Sequence, residues 1–197
     1  SQYHSIDSIL EQAKHLKGKT LLEIVGSQVS VSPGNKGAFG QLLEEYGFGI
    51  PNNSAAEPDF QPVGVELKVV PLKRKGRGWD VKERTKVCML DYHNLVQETW
   101  EDSHCRAKLN QVLFVFYRTE ASLWDCRVED HLLYVLDNRS ESEAIRRDWL
   151  TIQEKVNAGQ AEGLSEGLTT RLAASTAGSK AKDVEQPFSS VGARKRA

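Results

Sequence analysis

Cysteine, histidine and long apolar runs are all scarce in this 197-residue chain. Cys88, Cys105 and Cys126 are widely spaced with no Cys-x-x-Cys pair, which argues against a disulfide framework and against a structural zinc site. The five histidines stand singly, so a metal centre built on imidazole is not expected either. No apolar run approaches the roughly 18 residues that a membrane span needs, and the N-terminal residues lack the basic-then-apolar pattern of a secretory leader. The expected setting is therefore a reducing cytoplasm without a membrane partner. An excess of positive charge is also missing: 26 basic against 27 acidic residues leave a formal net charge of −1, which disfavours an indiscriminate nucleic-acid binder.

What is present describes a globular chain. Apolar residues make up 39% and charged residues 27%, enough for one sizeable core, so residues 1–197 are read as a single domain with a more polar stretch after about residue 159. The charge is unevenly spread. Lys68, Lys73, Arg74, Lys75, Arg77, Lys82, Arg84 and Lys86 face only Asp80 and Glu83, and the segment from Arg171 onward is also basic. Such clustering on a neutral protein suits one positive cleft.

The stretch that organises the chain is Asp59 to Val70. Val65, Leu67 and Val69 alternate with Glu66, Lys68 and Val70, and in a strand that alternation puts the aliphatic trio on one face and the two charges on the other. Asp59 and Glu66 are carboxylates suited to a divalent cation, with the Leu67 carbonyl as a further oxygen ligand. Lys68 is suited to orienting the attacking water or to steadying charge on a phosphorus undergoing substitution. The bland alternative is a solvated Glu66–Lys68 pair worth less than about 1 kcal/mol.

Around this stretch, Ser5 to Leu16 is an amphipathic helix pattern with Ser5 as N-cap and Gly18 ending it. Thr20 to Val25 is a short strand or a further helical turn, between which periodicity does not decide. Ala38 to Tyr46 is expected as a helix with Phe39, Leu42, Leu43 and Tyr46 on its apolar stripe, and it delivers Glu44 and Glu45, either of which could be a third carboxylate. Leu72 to Gly78 is expected as a basic hairpin tip in which Lys73, Arg74, Lys75 and Arg77 are candidate phosphate contacts, with the return strand over Arg84 to Tyr92. Strands are expected at Val112 to Tyr117 and Leu132 to Leu136, with Lys108 just ahead of the former. A helix over Glu143 to Ala158 carries Ile145, Trp149, Ile152 and Val156 on one stripe. Beyond Gly159 the small-residue run Ala173 to Ser179 reads as a low-complexity tail or as a loop through which backbone could approach DNA bases.

Gly37 to Glu44 with its Leu-Leu-Glu, Gly64-Val65-Glu66-Leu67-Lys68, Glu101-x-Ser103 followed by Lys108, Arg147-Asp148-Trp149 and Gly159-Gln160-Ala161-Glu162 together resemble the MutH family of GATC-directed DNA endonucleases, which includes restriction enzymes built on the same catalytic domain. The resemblance runs over nearly the whole chain. It implies the α/β restriction-endonuclease-like fold, a mixed central sheet flanked by helices. It selects Glu44 over Glu45 and implies Glu44, Asp59 and Glu66 as metal-binding carboxylates, with Lys68 and Lys108 as catalytic or phosphate-contacting lysines. The implied cofactor is Mg²⁺, with Mn²⁺ as a substitute, and the implied cut lies 5′ to the G of GATC, leaving 5′-phosphate and 3′-hydroxyl ends.

Leu164 to Thr169 and Pro187 to Arg196 look more like the restriction branch than the mismatch-repair branch. Relatives in the restriction branch carry a second domain further on, so the chain is expected to be an N-terminal portion of such an enzyme. Residues 169–183 are the candidate DNA-recognition loop. Where mismatch-repair relatives place Arg-Pro-Lys, this chain reads Ser175-Thr176-Ala177, with Lys180 close behind, so Ser175, Thr176 and Lys180 are the candidate DNA contacts. The leading expectation is a Mg²⁺-dependent type II restriction endonuclease acting on double-stranded DNA, completed by a homodimer or a second domain. The alternatives are a partner-activated strand-nicking mismatch-repair endonuclease and a DNA-binding module without turnover.

Overall fold

A computed structural model describes residues 3–51, 57–177 and 183–197 of the chain. Its contacts divide into two compact units, Ser1–Thr85 with Gln111–Tyr134, and Lys86–Asn110 with Val135–Ala197.

The first unit is an α/β layer built on four strands: β1 (Glu66–Lys75), β2 (Gly78–Val81), β3 (Gln111–Arg118) and β4 (Arg127–Val135). Their order is β2-β1-β3-β4. β1 and β3 form a parallel central pair, from Glu66 opposite Val112 to Leu72 opposite Arg118, while β2 returns antiparallel to β1. The sheet is thus mixed. Three helices, α1 (Ile6–Leu16), α2 (Leu21–Val25) and α3 (Ala38–Leu42), supply the other layer. Ser5 caps α1 by accepting from the Ser8 N–H. Thr20 and Glu23 form a reciprocal capping box at the start of α2, with Thr20 N–H donating to Glu23 at 2.7 Å and Glu23 N–H to Thr20 at 3.2 Å. Capping of this kind is worth about 1 kcal/mol and decides the ambiguous apolar segment in favour of helix.

The core of this unit joins Val65 and Leu67 to Ile9, Ala13, Leu16, Leu21, Phe39, Leu43, Leu113 and Val115. The aliphatic face of β1 therefore packs as its alternation predicts. The opposite face differs from a solvated one, because Glu66 and Val70 are themselves buried.

Two local expectations are corrected. The helix expected through Tyr46 stops at Leu42 and continues as a π turn, Leu43–Gly47, so Tyr46 lies exposed rather than on the apolar stripe. A side chain at Gly47 would come within 3.0 Å of Leu43 Cδ1 and 3.2 Å of Leu16 Cδ1, so the wide turn closes tightly around a glycine. The return strand of the basic hairpin is Gly78–Val81, not Arg84 to Tyr92. Lys75 pairs directly with Gly78 across the two-residue turn Gly76-Arg77, and Gly76 supplies the positive φ (59°) that so short a turn demands.

The second unit holds α4 (Tyr92–Leu95), α5 (His104–Leu109), α6 (Ser142–Asn157) and a hairpin of β5 (Asp183–Gln186) and β6 (Ser189–Arg194). Ile145, Trp149, Ile152 and Val156 are buried along α6, where Trp149 meets Trp100 with ring centroids 5.7 Å apart. The polar segment after Gly159 builds structure instead of trailing off. Buried Gln186 accepts from the Ala161 N–H at 2.8 Å and donates to Glu162 and to the Val191 carbonyl. Gly159 has φ of 66°, and a Cβ there would lie 2.6 Å from the Phe188 carbonyl oxygen. Among the described residues, no helix is long and apolar enough to cross a membrane.

Candidate active site

The turn that leads into β1 is shaped by its own backbone. Phe60, fully buried, pairs with Val65 through N–H to carbonyl bonds of 2.9 and 3.4 Å, closing a turn around Gln61, Pro62, Val63 and the left-handed Gly64. That closure brings Asp59 back beside the first residues of the strand. The Asp59 carboxylate accepts from the Leu67 N–H at 2.8 Å, and a charge-assisted bond of this kind fixes the carboxylate against the strand.

On the other face of the strand, Lys68 Nζ donates to Glu66 Oε1 at 2.7 Å, the two side chains being 24% and 6% exposed. This is a largely desolvated pair rather than a surface one. Removing one partner from such a pair strands the other charge in a poorly solvating environment. Glu44 arrives from the π turn, which leaves it half-buried while Glu45 points to solvent. Burial pushes the Glu44 carboxyl up to about 7, the Asp59 and Glu66 carboxylates add to the rise, and the Lys68 ammonium opposes it. Glu44, Asp59, Glu66 and Lys68 thus share one electrostatic environment in the first unit. A cation placed beside Glu44 would offset the burial and the like charges that raise its carboxyl.

The fit to Mg²⁺ rests on donor chemistry. Carboxylate oxygens and the Leu67 carbonyl are hard ligands, and Mg²⁺ ordinarily takes only one or two protein carboxylates and fills its remaining positions with other oxygens. Among the described residues, no three His, Cys, Asp or Glu side chains are gathered into a ready-made cation cage. Glu66 is engaged with Lys68, and Asp59 with Leu67.

The remaining sequence candidates fall elsewhere. Lys73, Arg74, Lys75 and Arg77 lie on the exposed hairpin of β1 and β2, where Lys75 pairs with Asp80 at 2.6 Å. Arg74 lies over the Trp79 ring at 5.4 Å, and Arg118 of β3 lies over the same ring at 5.1 Å. Cross-strand pairing of Arg74 with Trp79 is the signal that locates this stack, and it becomes visible only once the hairpin register is known. Lys108 sits in the last turn of α5, in the second unit. Ser175 donates to Glu166 at 2.7 Å, and the Thr176 hydroxyl accepts from Arg196 at 2.8 Å. Lys180 lies outside the described residues.

Sequence reasoning missed Asp148 as an anchor. It is 9% exposed and accepts from the backbone N–H groups of Thr170, Arg171 and Leu172 at 3.2, 2.6 and 3.0 Å. A signal was present: Asp148 falls on the apolar stripe between Ile145 and Ile152, where an acid must find donors.

A mixed sheet flanked by helices, with two acids and a lysine at the head of a central strand, is the layout of a restriction-endonuclease-like fold. The sequence pattern described as DNA mismatch repair enzyme MutH matches residues 48–148. That span includes Asp59, Glu66, Lys68, Lys108 and Asp148, while Glu44 precedes it. The chain belongs to the MutH family. It is 33% identical over 202 residues to the type II restriction enzyme Sau3AI of Staphylococcus aureus, a match covering 99% of the chain but 40% of that relative. It is 36% identical over 165 residues to the DNA mismatch repair protein MutH of Shigella boydii and to that of Escherichia coli, in each case over 81% of the chain and 70% of the relative. The chain thus spans two fifths of the length of Sau3AI.

Proposed function

We propose that this chain is the catalytic part of a Mg²⁺-dependent type II restriction endonuclease that cuts double-stranded DNA at GATC or a related short site, leaving 5′-phosphate and 3′-hydroxyl ends. Residues 1–197 act as one endonuclease domain, with residues 169–183 as its DNA-reading loop. The observation that carries the reading is the poorly solvated Lys68–Glu66 pair at 2.7 Å at the head of β1, with Asp59 fixed beside it by the Leu67 N–H at 2.8 Å and the Glu44 carboxyl pushed up to about 7 by burial and by those two acids.

Glu44, Asp59, Glu66 and the Leu67 carbonyl would hold the cation. A bound divalent cation supplies Lewis-acid stabilisation of the charge that develops on the scissile phosphate. The other steps belong to the chain. Lys68, held by Glu66 at 2.7 Å, keeps an ammonium where it can orient the attacking water and steady the phosphate oxygens. Lys108 is assigned as a second phosphate-contacting lysine on family resemblance. Lys73, Arg74, Lys75 and Arg77 give the exposed hairpin a positive edge for the DNA backbone. Cutting both strands of a palindrome needs a second active site, from a homodimer or from another domain of a longer chain.

The restriction reading is favoured by the breadth of the match to the type II enzyme, which covers 99% of the chain. A second reading, a strand-nicking mismatch-repair endonuclease activated by a partner, is favoured by the higher identity of 36% to the mismatch-repair relatives. Cleavage of methylated and unmethylated plasmid with and without Mg²⁺, followed by mapping of the ends, tests both. Linear product cut at GATC supports restriction. Nicked circles whose formation rises with a repair ATPase support the second reading, and intact plasmid in every lane contradicts both.

A further inference from the structure

The second unit contains a built device that the cleavage chemistry does not use. The Asp148 carboxylate is almost fully buried, and one of its oxygens receives three consecutive backbone N–H groups, those of Thr170, Arg171 and Leu172. The Thr170 hydroxyl reaches the same oxygen at 3.5 Å. A buried carboxylate is costly unless several donors compensate it, and successive N–H groups aimed at one oxygen form a rigid anion nest. The segment is pinned again further along. Ser175 and Ala197 exchange N–H to carbonyl bonds at 3.0 Å, the Ala177 N–H donates to the Lys195 carbonyl at 2.9 Å, and the buried Arg196 guanidinium bonds Thr176 and the Leu164 carbonyl.

Between these two pins the backbone has little freedom. Arg171 has its N–H drawn inward by the shortest of the three bonds, 2.6 Å, while its side chain is exposed and makes no ion pair among the described residues. The nearby hydroxyls of Thr170, Ser175 and Thr176 are engaged with Asp148, Glu166 and Arg196, and Ala173 and Ala174 between them are small. A guanidinium on an immobilised backbone is suited to contacting paired acceptors, because its planar fork loses little further freedom on binding.

We propose that Arg171 is a DNA-contacting residue and that Asp148 is its positioning residue, holding the backbone of Thr170 to Leu172 so that the Arg171 guanidinium is presented to the duplex. The inference deepens the reading of residues 169–183 as a DNA-reading loop and rests on it. It places the guanidinium of this loop ahead of Ser175, Thr176 and Lys180.

The test uses the 197-residue chain and two probes, a GATC duplex and the same duplex with the guanine replaced, with binding measured across a range of salt concentrations. Arg171→Ala is expected to weaken binding to the GATC duplex by about tenfold or more. Lost preference for guanine marks a base-edge contact, and a salt slope reduced by about one marks a phosphate contact; either supports the proposal. Asp148→Ala is expected to reproduce the defect, and the double variant is expected to be no worse than Arg171→Ala alone, a non-additivity that a general loss of stability does not produce. Asp148→Asn, which keeps one acceptor oxygen, is expected to restore part of the binding and carries the test if the alanine variant does not fold. Wild-type binding by Arg171→Ala, or additive losses in the double variant, overturns the proposal. If Ser175→Ala or Lys180→Ala weakens binding while Arg171→Ala does not, the loop reading stands and this inference falls; if none of the three does, both fall.

Discussion

Strand β1 supplies the lysine of two lysine–carboxylate pairs of nearly the same length, and they teach different things. Near the start of β1, Lys68 and Glu66 meet at 2.7 Å with side chains 24% and 6% exposed. Near its end, Lys75 and Asp80 meet at 2.6 Å with side chains 73% and 44% exposed. Distance does not distinguish them; solvent does. At the exposed end, water screens the charges, the pair adds little to stability, and the Lys75 ammonium can exchange Asp80 for a passing phosphate. At the buried end the ions depend on one another, and a cation or phosphate that enters must compete with an arrangement already made. Fixed geometry in a poorly solvated place is what catalysis uses, and loose charge at a wet edge is what DNA backbone contact uses.

The largest expected contrast is in activity. Glu66→Gln should abolish Mg²⁺-dependent plasmid cutting while leaving DNA binding measurable in a gel-shift assay, whereas Asp80→Asn should cut at close to the wild-type rate. Normal cutting by Glu66→Gln would remove the catalytic assignment. Next comes stability. Lys68→Ala takes the ammonium away from the buried Glu66 carboxylate and should destabilise the fold by roughly 2–4 kcal/mol in urea denaturation. Lys75→Ala should leave the denaturation midpoint where it is. Equal shifts for the two variants would erase the distinction drawn between the ends of the strand.

A smaller effect concerns pH. In EDTA, the Glu44 carboxyl titrates at about 7 in the folded protein, against an ordinary value of 4.5. Between those two values the folded state holds a proton that the unfolded chain has released. Stability should therefore fall as pH rises through that window and level off above it. Glu44→Gln should flatten this slope, and an unchanged slope in that variant would assign the titration to another group. The smallest effect is expected at the hairpin: Lys73→Ala with Arg77→Ala should weaken binding uniformly across DNA sequences and lower the salt slope by about two. A change in sequence preference instead would make the hairpin a reader of bases.

The parts of the fold legible in the sequence are those governed by period. The stripe Ile145, Trp149, Ile152 and Val156 marks α6, and the alternation around Val65 and Leu67 marks the face of β1 that packs on the helices. Alternation also places Glu66 and Lys68 together, but it does not reveal that their face is buried, since cover is supplied by residues distant in sequence. Register was hidden as well. The return strand at Gly78–Val81 follows from a two-residue turn at Gly76-Arg77, and the π turn at Leu43–Gly47 from the space Gly47 leaves beside Leu16 and Leu43. Helical phase does not separate Glu44 from Glu45, whereas the π turn leaves Glu44 half-buried and Glu45 exposed. Asp148 was visible as an acid on an apolar stripe, yet its three donors lie more than twenty residues onward, at Thr170 to Leu172.

The most direct test of the central claim is Mn²⁺ binding followed by electron paramagnetic resonance in the presence of an uncleavable GATC duplex, comparing the wild-type chain with the Asp59→Ala, Glu66→Ala double variant. Saturable binding in the wild type that disappears in the double variant is the result predicted for a cation held by these carboxylates. Equal Mn²⁺ binding by the two proteins would contradict it.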